Sequence, residues 1–493
     1  MRLRFSFVAW LSLFVVAVVV TACTTASIPG SENVEDVIEA EPTERTTPTL
    51  DDGPQDALDE TTTEPIEVQW FVGAGFSSTP TQEERVQVLV DGYNQRQDAV
   101  ELVVTFAAIG EANARLAERV AAGNAPDIVG PMGRSSAYAI GSEFLALDEF
   151  IGAESFDQQM FGEVLLTSLR DAEGSLRGLP FSVYPSAIFV NTELFDAAGL
   201  PYPPTEYAPN GTAIYGPGTP YEGLWDFAKL VEIGSLLTLD SAGRTATDAG
   251  FDKDDTVQWG YSNQWTEQPG ILGASLGAAE LERVNDSTAV PSSWGEALRW
   301  YQQAIHTIGF VPDGAEELAA PLGGNAFASG RLAMANTQLW YVCCIEDGTF
   351  WDLGVVPTYD GTSRSPVRIE SLHIHAETAN PDAAFQVLVE LETTLAADLA
   401  NIYAAMPAQV DLQDGYLAQL GNRYSQTVNW DVMSAGLEYS ALRSWNTDTA
   451  TFAAETARIN QLRALVKNDP NVIIGEAILE LETDLEALWL AAK

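Results

Sequence analysis

Two kinds of apolar spacing alternate in the chain after residue 65. Residues 66–72 and 100–106 are segments rich in apolar and β-branched side chains, which predict buried strands. Between them, apolar residues recur at the spacing of one helix face: Val86, Leu89, Val90 and Tyr93. A second helix is predicted over 111–122, where Gly123 would end it, and a short strand over 126–129. This order predicts an α/β fold whose parallel sheet carries helices on both faces.

The N-terminus has the pattern of an export signal. Arg2 and Arg4 precede an almost wholly apolar segment, residues 5–20, and small residues then lead to Cys23. This arrangement predicts a lipoprotein signal peptide over residues 1–22 and lipidation of Cys23, with a plain membrane-anchor helix as the alternative. Both interpretations place the bulk of the chain outside the cytoplasm, at the cell surface or in the periplasm.

The segment that follows Cys23 has few large apolar residues. Thr, Pro, Glu and Asp dominate it, and Arg45 is its only basic residue. Because like charges repel and prolines extend the backbone, we expect residues 23–65 to form a disordered tether between the lipid and the folded part.

The charge balance excludes several kinds of partner. The 493 residues include 24 Lys and Arg against 70 Asp and Glu, and the formal net charge of −46 would repel nucleic acid and anionic membrane surfaces. Membrane contact is therefore expected through the lipid alone. The hydrophobic fraction of 46% is sufficient for large buried cores, whereas three cysteines are too few for a disulfide scaffold or a structural zinc cluster.

Short segments in the folded part occur in a familiar order. The first is Ala-Ala-Gly-Asn-Ala-Pro-Asp-Ile-Val at 121–129, and the others are 145–151, 178–191, 192–201, 327–334, 351–357 and 380–385. From about Ile66 to the C-terminus, they resemble the corresponding segments of bacterial extracellular solute-binding proteins of ABC importers, in the maltose-binding-like, sugar-binding branch. One fragment alone would be a weak match, but the shared order makes the resemblance specific.

The resemblance implies a two-lobed, periplasmic-binding-protein-like fold of type II, in which each lobe is a sheet flanked by helices and the lobes are joined by crossing strands. Lobe 1 would comprise 66–184 and 335–370, and lobe 2 would comprise 185–334 and 371–493 with the C-terminal helices. It further implies a monomeric receptor without cofactors that captures a carbohydrate in the interlobe cleft, closes by hinge motion and delivers the ligand to an ABC permease.

Aromatic residues are the first candidates for a carbohydrate site, because the C–H faces of sugars stack on aromatic rings. The resemblance points to Trp340 after the second crossing and to Trp265, and Tyr184 lies at the first crossing. Trp445, among the C-terminal helices, is a weaker candidate. The alternative for each of these rings is packing within a lobe or at the hinge.

Polar residues are needed as well, because sugar hydroxyls require donors and acceptors. Gln338 and Asn336 at the second crossing and Glu111 at the start of the second helix are candidates, although each residue type also serves as a solvated surface or capping residue. Arg134 follows the strand at 126–129, where the branch often has an aromatic residue. A guanidinium there would suit an acidic or modified glycan, and a surface ion pair is its alternative.

Other functions remain open at this point. The same fold could bind a polyamine, a peptide or an organic anion, and a secreted glycan-active enzyme or an adhesion lipoprotein is a more distant alternative. No hydrolase elbow, zinc-protease motif or phosphate loop occurs in the sequence. We therefore expect a binding protein rather than an enzyme.

Three further groups favour structural roles. Cys343 and Cys344 are adjacent, and the pattern favours two reduced thiols over a strained, labile bridge. His373 and His375 alternate on one predicted strand, where structural hydrogen bonding is favoured over a metal pair. The acidic residues around Asp252 lack the order of a calcium loop, so a solvated turn is expected and calcium stays an open alternative. No metal site is predicted.

Overall fold

The structure is a computed structural model that describes residues 64–73, 80–108, 111–132, 144–154, 156–171, 173–278, 281–284, 287–346, 348–441 and 451–491. The predicted signal peptide, Cys23 and nearly all of the predicted tether lie outside the described residues. None of the helices in these ranges combines the length and the apolar composition needed to cross a bilayer.

The strands in the described residues are β1 (Ile66–Gly73), β2 (Val100–Ala107), β3 (Ile128–Val129), β4 (Leu179–Asn191), β5 (Ile214–Tyr215), β6 (Gly223–Leu224), β7 (Leu239–Asp240), β8 (Thr256–Gln258), β9 (Glu282–Val284), β10 (Ser287–Ala289), β11 (Met334–Gln338), β12 (Trp351–Gly354), β13 (Ser365–Ile374), β14 (Met406–Pro407) and β15 (Ser440–Ala441).

The α-helices are α1 (Pro80–Asn94), α2 (Ala112–Ala121), α3 (Asp148–Glu154), α4 (Glu163–Ser168), α5 (Thr192–Ala198), α6 (Phe227–Leu237), α7 (Pro269–Leu276), α8 (Ser292–Gln302), α9 (Gly314–Leu318), α10 (Pro381–Glu392), α11 (Ala396–Tyr403), α12 (Val410–Arg423), α13 (Asp431–Glu438), α14 (Phe452–Asn468) and α15 (Ile474–Ala491). A π-helix, Gln303–Ile308, extends α8, and short 3-10 helices occur at Gln158–Met160, Lys253–Asp255 and Leu339–Cys344.

The predicted strand–helix–strand–helix–strand unit is confirmed. β1 pairs in parallel with both β2 and β3, so that Trp70 lies between Val104 and Ile128. Trp70 is fully buried, and its Nε1 donates a hydrogen bond to the carbonyl oxygen of Gly130 at 2.7 Å. Strands buried on both faces are expected where helices cover a parallel sheet, and α1 and α2 pack on β2 and β1.

β4 is the strand that joins the two parts of the molecule. Residues 179–185 pair with β13, and residues 186–191 pair with β11 and β12 on either side. All thirteen residues of β4 are buried. β13 continues to β3 through the pair His373 and Val129. We call β1, β2, β3, β13 and the first half of β4 the β1 group, and β11, β12 and the second half of β4 the β11 group.

This grouping differs from the predicted lobe boundaries, which placed 335–370 in lobe 1 and 371–493 in lobe 2. β11 and β12 belong to the β11 group, whereas β13 belongs to the β1 group. Helices α10 and α11 also pack on the β1 group: Gln82 of α1 donates a hydrogen bond to the carbonyl oxygen of Ile402, and Arg96 pairs with Glu390.

The C-terminal helices α14 and α15 pack against each other and against α8. They form a small hydrophobic core of their own against α8, made of Leu298, Leu462, Val466, Ile474, Leu481, Leu485 and Trp489. Helix α14 also reaches α9 and α7, which places its polar residues next to the loop that precedes α7.

Candidate ligand-binding site

A line of polar side chains crosses the sheet where β4 passes from the β1 group to the β11 group. Alternate residues of a strand share a face, so Ser182, Tyr184 and Ser186 lie on the same side of β4. Residues paired across antiparallel strands share that face as well. The partners of these three residues are, in the same order, Glu370, Arg368 and Gln338. Because buried polar groups cost free energy unless they are paired, this line is a candidate binding surface.

Trp265 and Trp340 stack beside this line. Their ring centroids are 5.9 Å apart and their planes differ by 7°. The Nε1 of Trp340 donates a hydrogen bond to Oε1 of Gln338 at 2.9 Å, which connects the pair to the polar line. Tyr341 meets both indoles edge-on. Trp340 is 5% exposed and Trp265 is half-buried, so Trp265 is the more accessible ring of the pair.

Trp265 lies on a turn that is fixed to β11. Its φ of 58° lies in the left-handed region, which bulky residues rarely adopt outside functional or tightly held sites. The next residue, Thr266, donates hydrogen bonds from its N–H to the carbonyl oxygen of Asn263 at 3.1 Å and from its hydroxyl to that of Asn336 at 2.8 Å. The indole N–H of Trp265 donates to the carbonyl oxygen of Gly324 at 3.2 Å. The ring is therefore held in one place.

Asn336 and Gln338 lie on the same face of β11 and are both buried. The backbone N–H of Asn336 donates to the carbonyl oxygen of Ser262 at 2.8 Å, which brings the segment before Trp265 alongside the strand. Burial raises the pKa of the Tyr261 hydroxyl, and the polar side chains of Asn336 and Asn263 partly oppose that rise. The two predicted polar residues and the two predicted tryptophans thus occupy one cluster.

Tyr184 lies in the polar line, next to the crossing of β4. It is 3% exposed, and burial followed by the negative charge of Glu370 raises the pKa of its hydroxyl well above the ordinary value. The nearby hydroxyl of Ser182 acts in the opposite direction, and Tyr416 of α12 raises the pKa further. The Tyr184 hydroxyl therefore stays protonated at physiological pH and can donate as well as accept hydrogen bonds.

A buried ion cluster supports the Trp265 turn from the side of α14. Lys467 Nζ lies 3.3 Å from Glu267 Oε1 and 2.5 Å from Glu317 Oε2. Arg463 Nη1, one turn earlier on the same helix, lies 3.0 Å from Glu267 Oε1. Because Glu267 follows Trp265 by two residues, this cluster ties the turn to the C-terminal helices.

Burial and the neighbouring charges act in opposite directions on the pKa values of the cluster. Burial raises the pKa of Glu267, but Lys467 and Arg463 outweigh that effect and hold the pKa below the ordinary value. Burial also raises the pKa of Glu317, which Lys467 only partly offsets. Burial lowers the pKa of Lys467, but Tyr301 and the two carboxylates outweigh it, so the lysine stays charged.

The structure does not place the remaining predicted binding residues beside the two tryptophans, Asn336 and Gln338. Glu111 precedes α2 and is exposed, and its carboxylate forms an i,i+4 ion pair with Arg115 at 3.3 Å. Arg134 and Trp445 lie outside the described residues, so their places in the site stay predictions.

Sequence reasoning missed two charged residues of the polar line, Arg368 and Glu370. Arg368 is half-buried and Glu370 is 4% exposed. The signal was present in the sequence, because both charges alternate with Val367 and Ile369 in an otherwise apolar strand. Tyr416 gave no comparable signal, since the helical spacing of α12 explains its burial equally well.

The two strand histidines have structural surroundings. Both are fully buried. The Nδ1 of His373 lies 2.7 Å from the carbonyl oxygen of Arg177, its Nε2 lies 2.7 Å from the hydroxyl of Ser371, and its ring stacks on Phe144. The Nδ1 of His375 accepts a hydrogen bond from the N–H of Glu377 at 3.2 Å.

The acidic segment around Asp252 forms hydrogen-bonded turns. Asp252 Oδ1 accepts from the N–H of Asp254 at 3.2 Å, and Asp248 Oδ2 accepts from the N–H of Thr245 at 2.7 Å. Across the ranges that the structure describes, no three His, Cys, Asp or Glu residues are grouped so that they could hold a metal ion.

Two surface pockets lie elsewhere, away from the predicted residues. One has a volume of about 560 Å³ and is lined by Pro, Tyr and small residues between Pro201 and Thr219. The other has about 280 Å³ and lies between α5, α6 and the β7–β8 region. Neither is lined by the tryptophan pair or the polar line.

Comparisons with known proteins agree with this architecture. The family model for bacterial extracellular solute-binding proteins matches residues 89–453. No curated protein sequence gives a significant match. Among solved structures, the chain is similar to an ABC substrate-binding protein from Listeria monocytogenes in complex with cycloalternan, with 17% identity, a TM-score of 0.63, and 86% of this chain and 98% of that chain covered.

Two other solved structures are similar to the same extent. UspC of M. tuberculosis has 18% identity and a TM-score of 0.64, with 86% of this chain and 100% of that chain covered. The cyclic alpha-maltosyl-1,6-maltose binding protein of Arthrobacter globiformis has 17% identity and a TM-score of 0.61, with 86% and 99% covered. At such identities the similarity shows the fold alone, and it confirms the predicted two-lobed, periplasmic-binding-protein-like fold. Because the family model spans most of the sequence, this chain belongs to the bacterial extracellular solute-binding proteins.

Proposed function

We propose that this protein captures a carbohydrate between its two lobes and delivers it to the permease of an ABC importer, without chemical conversion of the ligand. The observation that carries the proposal is the stacked pair of Trp265 and Trp340 beside Gln338. The pair offers an aromatic face to sugar C–H groups, and the polar line next to it offers donors and acceptors to hydroxyls.

The similar structures support the choice of ligand class. One was solved with cycloalternan, and another is named for binding cyclic alpha-maltosyl-1,6-maltose. In this chain, the side chains of Tyr184, Gln338 and Arg368 would meet the hydroxyls, and Trp265 would stack on one sugar face. Arg134 and Trp445 are proposed to complete the site from segments outside the described residues.

The proposal includes a revised division into lobes. Lobe 1 would comprise residues 66–184 with 365–407, and lobe 2 would comprise residues 186–354 with 452–491. The strand pairing of β4 supports the division of the sheet, and the ion pairs of Lys467 with Glu267 and Glu317 support the assignment of 452–491. Closure would bend the crossing strands near Pro185. Binding energy gained from contacts with both lobes would favour the closed state that the permease recognises.

The proposal also includes anchoring by a lipid. The sequence pattern that ends at Cys23 supports lipidation of that cysteine, and the acidic segment to residue 65 would tether a monomeric receptor to the outer face of the membrane. Metabolic labelling with a fatty acid, compared between the native chain and Cys23→Ser, tests this part: label that persists in the variant would contradict it.

The test of the ligand class is calorimetric titration of the purified protein with neutral, acidic and cyclic oligosaccharides. We expect saturable binding to at least one of them, with weaker binding in Trp265→Ala. A folded protein that binds none of them would overturn the carbohydrate assignment.

Arg368 and Glu370 favour one alternative, a charged solute. Organic anions and polyamines therefore belong in the same titration: binding of an anion that is lost in Arg368→Gln, or of a polyamine that is lost in Glu370→Gln, would replace the carbohydrate proposal.

A further inference from the structure

Cys343 and Cys344 end the 3-10 helix Leu339–Cys344, which also carries Trp340 and Tyr341. Their Sγ atoms are 3.2 Å apart, and both side chains are half-buried, so that a small solution thiol or disulfide can reach them. The family places the protein outside the cytoplasm, where thiols meet oxidising conditions.

Hydrogen bonds hold the segment before the two thiols in place. The hydroxyl of Tyr424 donates to the carbonyl oxygen of Val342 at 2.7 Å, and the hydroxyl of Tyr341 donates to Oδ1 of Asn325 at 2.5 Å. The two sulfurs are thus kept next to each other by the fold as well as by their adjacency. A disulfide bond is about 2.05 Å long, so the sulfurs must approach by only ~1 Å to be joined.

The number of cysteines in the sequence limits the disulfide bonds that these thiols can form within the chain. Its only other cysteine is Cys23, which lies far away in sequence and belongs to the predicted lipidation motif. A bond between Cys343 and Cys344 is therefore the intramolecular outcome of oxidation, and a mixed or intermolecular disulfide is the competing one.

We propose that Cys343 and Cys344 form a vicinal disulfide, a redox-sensitive site at the end of the helix that carries Trp340. The thiolate of one cysteine attacks a sulfur of a disulfide oxidant from the extracytoplasmic space and releases one oxidant thiolate. The second cysteine thiolate then attacks the first cysteine's sulfur in this mixed disulfide and releases the other oxidant thiolate. The two protons lost by the cysteines protonate the two released thiolates, and the oxidant takes up two electrons.

The small ring has a physical signature that separates it from other disulfides. A bridge stabilises a protein mainly by restricting the loop that it closes, and adjacent residues close almost none. Oxidation should thus bring no gain in the thermal midpoint, and the strain of the small ring should lower it. Oxidation should also restrict the backbone from Val342 to Ile345, next to the stacked tryptophans.

The test uses the purified full chain, incubated with oxidised glutathione or with dithiothreitol and then alkylated with iodoacetamide. Mass spectrometry of the proteolytic peptide that contains both cysteines reads their state without any ligand, so its outcome is independent of the proposed function. We expect that peptide to be unalkylated and lighter by two hydrogens after glutathione, and doubly alkylated after dithiothreitol, with the protein monomeric throughout.

Cys344→Ser provides the matched control. Its remaining thiol can complete only the first exchange step, so the same peptide should retain a glutathione adduct that the native chain resolves. Double alkylation of the native chain after glutathione, a stable glutathione adduct on it, or a disulfide-linked dimer would each overturn the proposal.

Discussion

The indole of Trp265 lies flat on the indole of Trp340, with the ring planes 7° from parallel, yet the two residues differ in exposure. Trp340 is 5% exposed and is anchored through Gln338, whereas Trp265 is half-buried and sits on a left-handed turn. Under the proposed function, Trp340 would hold the Trp265 ring in place, and Trp265 would be the ring that contacts the ligand. Substitutions at the two positions should therefore have different consequences.

Trp265→Ala should weaken binding of the carbohydrate that gives the strongest heat in the titration. Aromatic contacts of this kind contribute about 1 kcal/mol, and 1.4 kcal/mol corresponds to about tenfold in affinity, so we expect a loss of roughly fivefold. Trp340→Ala should instead lower the stability of the protein, by about 3–5 kcal/mol, because it empties a buried site. Calorimetry and urea unfolding measure the two effects separately.

Trp300→Ala is the matched control for this prediction. Trp300 is also half-buried, and it also packs against aromatic rings, those of Phe227, Tyr261 and Phe310. Its removal should affect stability and leave the affinity within about twofold. Equal losses of affinity in the Trp265 and Trp300 variants would mean that the stacked pair is ordinary core.

The fold and the aromatic part of the site were accessible from sequence for a physical reason. Strand and helix periods are local, so the spacing of apolar residues is sufficient to predict the first sheet unit. Trp340 and Trp265 followed from a family resemblance around the second crossing. Arg368 and Glu370 could have been found in the same way as the sheet unit, since their alternation in an apolar strand is a local signal.

Other features depend on pairing between distant segments, which local patterns do not encode. The sequence does not indicate which half of β4 pairs with β11. The predicted lobe boundaries and the observed strand grouping differ for this reason. The ion cluster is a second example: Lys467 lies 150 residues from Glu317 and 200 from Glu267, and no local pattern joins them. Such contacts emerge only from the assembled fold.

Lys467→Met should destabilise the protein strongly. The lysine is 7% exposed and lies between the buried carboxylate of Glu267 and the half-buried carboxylate of Glu317. Its removal leaves Glu267 with Arg463 alone and Glu317 without its cation. Breaking a buried ion pair in this way costs about 3–5 kcal/mol. Because the cluster ties down the Trp265 turn, the affinity for the carbohydrate should fall as well. Urea unfolding and calorimetry check the two results.

Lys229→Met, which breaks an exposed ion pair, tests whether burial accounts for the effect expected of Lys467→Met on stability. Lys229 Nζ lies 2.6 Å from Glu232, as close as a strong ion pair, but the glutamate side chain is 49% exposed. Solvent-exposed pairs contribute only about 0–1 kcal/mol, so this variant should unfold near the native midpoint. A similar small effect for Lys467→Met would contradict the view that the cluster supports the turn.

Glu392→Gln should stabilise the protein at neutral pH. Glu392 is 1% exposed, and burial raises the pKa of its carboxyl well above the ordinary value, although a hydrogen bond from Gln409 at 2.8 Å partly opposes this. The folded carboxyl thus stays protonated while the unfolded one ionises, so stability is lost as the pH rises above about 4.5.

Glutamine has the same shape as glutamic acid and never ionises. Glu392→Gln should therefore not lose stability as the pH rises. We therefore expect the variant to be more stable than the native protein at pH 7 and to differ little from it at pH 4. Urea unfolding at both pH values measures the difference. A variant that is equally or less stable at pH 7 would show that the buried carboxyl is ionised in the native state.

His373 should make the protein less stable as the pH falls, the opposite sign to Glu392. Burial lowers the pKa of His373 from the ordinary 6.5 to about 4, and its hydrogen bond to the Arg177 carbonyl only partly opposes this. Between these values the unfolded imidazole binds a proton that the folded one excludes, so stability present above pH 6.5 is lost as the pH falls towards 4. The expected loss from this residue is about 3 kcal/mol.

The measurement is urea unfolding at several pH values between 7 and 4 for the native protein and His373→Gln. The variant will be less stable overall, since it removes a fully buried ring that stacks on Phe144, but its stability should change less over this range. His306→Gln is the control, because that ring is only half-buried and contacts the carbonyl oxygen of Val466. Parallel pH profiles for the native protein and the His373 variant would contradict the prediction, whereas a flatter profile in that variant alone would assign the acid sensitivity to this buried imidazole.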